Sequence, residues 1–175
     1  KEDVANLASQ SDKIYVAGCS MGAVLSLYAA SIFPLDGCIV GGTVLEFNNP
    51  FTINYIIPLI CNVIKKRDKL KMQPKKRRNS ASFYGYTEYP LIALNEMRKL
   101  NKYVRKKFKK IKCPTLIIHS NNDKMSLEKN LNIVFNEIKS ENKKRLVVDQ
   151  SHHNMFDTNP DQKKIFNEIL NFLKN

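Results

Sequence analysis

The chain has 175 residues, 43% of them hydrophobic, which is enough for one globular domain with a buried core and excludes a disordered chain. Lys and Arg number 29 against 16 Asp and Glu, so the formal net charge is +13. The longest apolar stretch, residues 51–64, contains Asn54, Pro58 and Asn62 and is too short and too interrupted to span a bilayer. Residues 1–13 are predominantly polar, so we expect no signal peptide before Ile14, and the four cysteines form no C-x-x-C pair. We therefore expect a soluble cytoplasmic protein.

The first part of the chain has the pattern of a βαβ unit. A polar helix is predicted to end at residues 4–8, and the apolar residues 13–17 predict a strand. A helix over residues 21–32 follows and stops ahead of Pro34. Residues 37–42 form a second short apolar run, which is typical of a parallel strand covered on both faces.

The pattern changes after the second strand. Residues 43–88 contain three prolines, one amphipathic run and a basic run, without the alternation of a strand. This composition predicts an inserted helical cap rather than a separate domain. Residues 90–110 have helical apolar spacing and return the chain to the sheet. The predicted core is therefore residues 1–42 and 89–175.

The last part of the chain repeats the strand, loop and helix layout twice. A strand at residues 115–119 precedes a polar loop with Asp123, and a strand at residues 145–148 precedes a loop with His152 and His153. Helices are predicted after each loop, over residues 127–138 and 162–173. The fold class is thus α/β, with a mostly parallel sheet and flanking helices. Functional side chains are expected at the carboxyl ends of its strands.

The pentapeptide Gly18-Cys19-Ser20-Met21-Gly22 lies between the first strand and its helix. A nucleophilic serine needs a tight, strained turn that lifts its Oγ clear of the sheet, and the flanking glycines remove Cβ atoms that would clash there. Ser20 is the candidate nucleophile. The N–H of Met21, at the start of the helix, is placed to hold a developing oxyanion.

Ser20, Asp123 and a histidine occur in the chain order of an α/β-hydrolase triad, each on a loop that follows a strand. An imidazole removes the serine proton, and a carboxylate fixes the tautomer of that imidazole. Taken singly, Ser20 fits a turn residue, Asp123 a loop or helix-capping acid, and the histidines surface residues. The residues alone leave the choice between His152 and His153 open.

The whole chain resembles the carboxylesterase and bacterial monoacylglycerol lipase branch of the α/β-hydrolase superfamily, which has a small inserted cap. The matching segments are residues 14–30, 114–123 and 150–172. The resemblance implies hydrolysis of small acyl esters through an acyl-enzyme, without metal or cofactor. It also implies that the apolar cap segment, residues 51–64, lines the acyl site.

Family members carry Ser-x-His after the last strand, and here Ser151-His152-His153 places the base at His153. Members also begin with further strands and a His-Gly turn that supplies a second oxyanion N–H. We therefore expect these residues to be the C-terminal part of a longer hydrolase without its N-terminal third. The absent part or another chain is expected to complete the sheet beside the strand that ends at Ala17.

Two basic runs raise an alternative function: residues 65–78 hold nine Lys or Arg and residues 102–112 hold seven. Such runs bind polyanions or simply solvate a surface, and we expect at most weak membrane-surface contact and no specific nucleic acid. The leading hypothesis is a serine esterase acting on acyl esters or monoacylglycerols. A thioesterase or serine peptidase would use the same residues, and a non-catalytic binding module would use the basic face.

Overall fold

The computed structural model describes residues 2–68 and 88–174, and the chain divides into two compact units. One unit comprises Lys1–Asn48 and Asn101–Asn175, and the other comprises Asn49–Leu100. Most of the basic run at residues 65–78, and with it much of the predicted cap, lies outside the described residues. The boundaries expected for a core and an inserted cap stay a prediction.

The larger unit is built on a parallel sheet. Its strands are β1 (Tyr15–Cys19), β2 (Gly37–Gly41), β5 (Thr115–Ser120) and β6 (Lys143–Val148), in the spatial order β1-β2-β5-β6. Tyr15 lies opposite Gly37, and Cys38 lies opposite Thr115. All three pairings are parallel, so the carboxyl ends of the four strands meet at one edge.

Helices lie between consecutive strands, as parallel pairing requires: α2 (Met21–Ala30) connects β1 to β2, and α5 (Glu128–Glu137) connects β5 to β6. A further helix, α4 (Leu91–Arg105), leads into the strand β5 by way of a 3₁₀ turn at Phe108–Lys110. Two more helices flank the strands in sequence, α1 (Glu2–Ala8) before β1 and α6 (Gln162–Lys174) after β6. The helix α2 ends four residues ahead of Pro34, as the sequence predicts. Among the described residues, no helix is both long enough and apolar enough to cross a membrane.

The core lies around the two inner strands. Both alternating sets of side chains on β2 and β5 are buried, because helices cover the sheet on both faces. On one face α6 contributes Ile165, which packs with Ile39, Leu116 and Ile118. In α2 the side chains of Val24 and Leu27 are completely buried.

The two outer strands are less buried than the inner strands β2 and β5. The side chains of β1 are half-buried or exposed, and β6 exposes Lys144, Arg145 and Val147. Both strands lie at edges of the described sheet, where only one neighbouring strand covers them. Lysine and arginine protect the edge at β6, whereas β1 carries no charge. The expectation that a further segment pairs with β1 stays a prediction.

The smaller unit contains a short helical segment and a two-stranded antiparallel sheet. A π-helical turn at Thr52–Ile56 continues into α3 (Ile57–Ile60), and β3 (Lys66–Asp68) pairs antiparallel with β4 (Glu88–Pro90). Ile57, Cys61 and Leu91 form its buried cluster. The expectation that this region has no strand is therefore wrong. Three-residue strands are too short to produce a readable alternation in the sequence.

Candidate active site

Ser20 occupies a strained turn between β1 and α2. Its φ of 59° and ψ of −118° make it the one non-glycine residue of the described chain with positive φ. Such a conformation costs about 1–3 kcal/mol and persists only when its surroundings enforce it. The backbone N–H of Ser20 donates to the Gly41 carbonyl at 2.9 Å, which continues the ladder between β1 and β2 into the turn. The sheet thus holds the serine in the strained conformation.

The two glycines of the turn have different roles. A Cβ on Gly18 would overlap the backbone carbonyl of Gly22 and would lie 2.5 Å from Ser26 Oγ, so only glycine fits there. A Cβ on Gly22 would have no described atom within 4 Å. The prediction that both glycines relieve clashes is therefore wrong for Gly22, because its missing side chain would point into open space. Gly18 alone permits the close approach of strand and helix.

Asp123 lies in the loop after β5 and uses both carboxylate oxygens. Oδ1 accepts from the backbone N–H groups of Met125 at 2.8 Å and Ser126 at 3.0 Å. Oδ2 faces His153, and the side chain is completely buried. Burial raises the pKa of Asp123, but donation from His153 and from these two N–H groups outweighs it, and the pKa lies below its usual range. The carboxylate therefore stays ionised at neutral pH.

His153 bridges Asp123 and Ser20. Its Nδ1 lies 2.8 Å from Asp123 Oδ2, and its Nε2 lies 2.7 Å from Ser20 Oγ. An ionised carboxylate only accepts, so Nδ1 carries the proton and Nε2 is left to accept from the serine hydroxyl. His152 is exposed, and its Nδ1 lies 3.5 Å from Asn122 Nδ2 instead. The structure thus brings together Ser20, Asp123 and His153, and leaves His152 outside the cluster.

The loop that carries His153 is anchored by Ser151 of the Ser-x-His motif and by residues that the sequence analysis did not single out. Asp161 Oδ2 accepts from the N–H groups of Gln150 and Ser151, each at 2.8 Å. The buried Ser151 donates its hydroxyl proton to Asn159 Oδ1 at 2.5 Å, and Ser120 Oγ donates to the Ser151 carbonyl. An acid directly before the helix α6 is a readable capping signal, so Asp161 could have been found from the sequence.

Met21 is the first residue of α2, so its N–H belongs to the helical turn whose N–H groups lack an intrahelical acceptor. The helix N-terminus also carries partial positive charge beside Ser20. Together these residues supply a hydroxyl, a base that accepts its proton, a carboxylate that orients the base, and a donor for negative charge on oxygen. Such an arrangement can transfer acyl groups.

Comparison with solved structures places the fold. One of two metagenome-derived lipolytic enzymes, LipS and LipT, superposes with a TM-score of 0.79 at 20% identity over 99% of this chain and 69% of that chain. The monoacylglycerol lipase of Paleococcus ferrophilus gives 0.76 at 13% identity, over 98% of this chain and 72% of its own. A soluble variant of Saccharomyces cerevisiae monoglyceride lipase gives 0.75 at 17% identity, over 98% and 65%.

The parallel sheet, the strained serine turn and these superpositions define an α/β-hydrolase fold, as the sequence predicts. The family described as serine aminopeptidase, S33, matches residues 2–161. The chain belongs to that family of hydrolases.

Proposed function

We propose that the chain is a serine hydrolase that cleaves carboxylic esters through an acyl-enzyme. Ser20 is the nucleophile, His153 the general base and acid, and Asp123 the carboxylate that orients His153. The backbone N–H of Met21 stabilises the oxyanion. The substrates are short or medium acyl esters or monoacylglycerols, and every step uses protein groups and water.

The acylation half of the reaction follows from the hydrogen-bond directions. Ser20 Oγ attacks the ester carbonyl carbon while its proton passes to His153 Nε2, and the carbonyl oxygen becomes an oxyanion at the Met21 N–H. When the tetrahedral intermediate collapses, the C–O bond to the alcohol breaks. The departing alcohol takes the proton from His153, and the acyl group remains on Ser20.

Deacylation repeats these steps with water. His153 Nε2 takes a proton from water, and the hydroxide attacks the acyl carbon of the Ser20 ester. Collapse of the second intermediate breaks the bond to Ser20 Oγ, which recovers its proton from His153. The products are a carboxylic acid and the free enzyme. Asp123 stays ionised throughout and steadies the imidazolium that forms twice in each turnover.

One observation carries the proposal: the continuous chain of hydrogen bonds from Ser20 Oγ through His153 to Asp123, at 2.7 and 2.8 Å. Three side chains of the required types are already within proton-transfer distance, although they are far apart in the sequence. A non-catalytic binding module has no need for this alignment. It also has no need for a strained serine at the sheet edge, because such strain persists where function requires it.

The choice of esters rests on the relatives. The three superposed proteins are named as lipolytic enzymes or monoacylglycerol lipases, and this supports an acyl ester as substrate. The family description names an aminopeptidase, so a peptidase with the same nucleophile is the second candidate, and a thioesterase the third. The three reactions share one acyl-enzyme and differ in the leaving group, which is an alcohol, an amine or a thiol.

The decisive experiment uses a fluorophosphonate probe, which reacts with an activated serine. We expect the wild-type chain to be labelled at Ser20, and Ser20→Ala to be unlabelled. Ser9→Ala is the matched control. Ser9 is an exposed serine of the larger unit, and its hydroxyl donates to the carbonyl of Asn6. Wild-type protein that folds but takes no label would contradict a serine hydrolase and favour the binding module.

Turnover then distinguishes the leaving groups. We expect the wild-type chain to hydrolyse p-nitrophenyl butyrate and a monoacylglycerol faster than an aminoacyl p-nitroanilide or an acyl thioester. Ser20→Ala should lower kcat for the ester by about 10⁴-fold or more. Faster hydrolysis of the anilide would favour a peptidase, and faster hydrolysis of the thioester would favour a thioesterase. Ser20 would be the nucleophile in either case.

A further inference from the structure

The backbone carbonyl of His153 is contacted from the residue directly before the nucleophile. Cys19 is the last residue of β1, and its thiol donates to His153 O at a sulfur–oxygen distance of 3.3 Å. The two residues are 134 positions apart in the sequence. The strand that positions Ser20 therefore also holds the loop that carries its partner. The distance between Ser20 Oγ and His153 Nε2 depends on the positions of this strand and of this loop.

Gly42 leaves space beside the same carbonyl. It is the residue after β2, and its φ of +52° is a conformation that residues other than glycine rarely adopt. A Cβ at this position would lie 3.1 Å from His153 O, 3.3 Å from Asp123 Oδ2 and 3.3 Å from His153 Nδ1. A side chain at Gly42 would thus crowd the hydrogen-bonded pair of Asp123 and His153.

The backbone at Gly42 is itself fixed. The Gly42 N–H donates to the Ile118 carbonyl at 3.0 Å, and the carbonyl of the next residue, Thr43, accepts from Ser126 Oγ at 2.6 Å. Ser126 also donates its N–H to Asp123 Oδ1 at 3.0 Å. The segment that faces the pair is therefore joined to the strand and to the loop that hold Asp123. An added side chain would push on His153 and Asp123 rather than displace the glycine.

We propose that Cys19 and Gly42 are positioning residues that hold His153 in register with Ser20 and Asp123, the thiol by its hydrogen bond to the His153 carbonyl and the glycine by leaving room for the Asp123–His153 contact. This rests on the proposed function, in which His153 is the base. Neither residue touches the reacting atoms. Both act through the placement of His153.

The protonation of Cys19 agrees with a donor role. Burial raises the pKa of the Cys19 thiol, and the N–H of Met155 lowers it by a smaller amount, so that the pKa lies above its ordinary value. The sulfur therefore keeps its proton at neutral pH. A serine at this position would also donate, whereas an alanine would not.

The first test is Gly42→Ala with His152→Ala as its control. His152 is exposed, lies in the same loop as His153 and stays outside the cluster. We expect Gly42→Ala to lower kcat for p-nitrophenyl butyrate by about 10- to 100-fold with KM nearly unchanged, since small misplacements of catalytic groups have effects of that size. His152→Ala should stay within about twofold of wild type. Equal kcat in the two variants would overturn the role of Gly42.

The second test compares Cys19→Ala with Cys19→Ser. Loss of one neutral hydrogen bond corresponds to about a five-fold change, so we expect Cys19→Ala to lower kcat by about that factor. Cys19→Ser should recover more than half of the lost rate because its hydroxyl can donate to the same carbonyl. Alanine equal to wild type, or serine no better than alanine, would overturn the role of the thiol. This pair decides the proposal alone if Gly42→Ala does not fold.

A third readout does not depend on activity. The Nδ1 proton of His153, hydrogen-bonded to Asp123 Oδ2, should give a low-field proton NMR signal in the wild-type chain. We expect this signal to shift or broaden in Gly42→Ala and in Cys19→Ala and to stay unchanged in His152→Ala. An unchanged signal in both of the first two variants would overturn the positioning roles. If the wild-type chain shows the signal but hydrolyses no ester, the proposed function fails while the positioning inference is still tested.

Discussion

At the scale of single residues, the site depends on which of two adjacent histidines faces the serine. His153 contacts both Ser20 and Asp123, whereas His152 is exposed and lies near Asn122. Two neighbours of identical type with opposite environments form an internal control. Their substitution separates a catalytic role from a packing role in the same loop.

We expect His153→Ala to lower kcat for an aryl ester by about 10⁴-fold or more, because Ser20 then has no base. His152→Ala should stay within about twofold of wild type, since its one described contact is at the 3.5 Å limit of a hydrogen bond. Steady-state kinetics with both variants measures this difference. The reverse pattern would assign the base to His152.

The lowered pKa of Asp123 predicts a contribution to stability with a definite pH dependence. The folded-state pKa lies below the reference value of 3.8, so the contribution is fully present above that pH and is lost as the pH falls through the folded-state pKa. Asp123→Asn has no carboxyl to titrate. We expect its free energy of unfolding to depend less steeply on pH below about 4 than that of wild type. Urea unfolding at several pH values measures both slopes, and equal slopes would contradict the prediction.

At the scale of elements, the carboxylate of Asp161 stabilises the loop between β6 and α6. Asp161 accepts from the N–H groups of Gln150 and Ser151, and this joins the end of the loop to its beginning. Burial raises the pKa of Asp161, but hydrogen bonds from Gln150 and Ser151 together outweigh it and hold the pKa below its usual range. His153 lies between the joined ends, so its placement depends on them.

We expect Asp161→Ala to lower kcat for the ester by about tenfold, because the loop loses the acceptor that joins its ends and His153 loses its register with Ser20. Asp157→Ala is the matched control: Asp157 is an exposed acid of the same loop whose Oδ1 accepts only from Thr158 N–H among the described contacts. Steady-state kinetics measures kcat of both variants. Similar rates for both would show that the carboxylate of Asp161 does not hold the histidine.

At the scale of the whole molecule, 16 of the 29 Lys and Arg residues lie in the two basic runs, and the run at residues 102–112 is the one that the structure describes in full. Within residues 102–112, the exposed lysines are Lys102, Lys106, Lys109, Lys110 and Lys112. One exposed aromatic residue lies among them, with Lys107 Nζ 4.6 Å from the centre of the Tyr103 ring. A single ring is not the row of stacking platforms that single-strand binders use.

We expect the combined change of Lys106, Lys109, Lys110 and Lys112 to Gln to leave ester hydrolysis within about twofold of wild type, because these side chains only solvate the surface. Binding to heparin or to anionic vesicles should be weak, should fall steeply with salt, and should weaken further in the variant. Fluorescence anisotropy at several salt concentrations measures the affinity and its dependence on salt. Tight, sequence-dependent nucleic-acid binding at physiological salt would instead favour the binding module.

Much of the fold follows from the sequence because its signals are local. Short apolar runs and helical spacing predict all four strands of the sheet and the helices α2, α5 and α6, with ends that differ by a few residues. The order of Ser20, Asp123 and the histidines, each after a strand, predicts that they meet at one edge. These conclusions need only periodicity and the rule that parallel strands share one end.

The tertiary structure was needed for the features that depend on contacts between residues far apart in the sequence. Burial of β1 and β6 could not be read from their composition, since it depends on their place at the edges of the described sheet. The choice of His153 over His152 depends on atoms of Ser20 and Asp123, which are 133 and 30 positions away in the sequence. Cys19 and Gly42 carry no local signal for their relation to His153. Only the folded chain brings the Cys19 thiol to 3.3 Å from the His153 carbonyl and leaves little room for a side chain at Gly42.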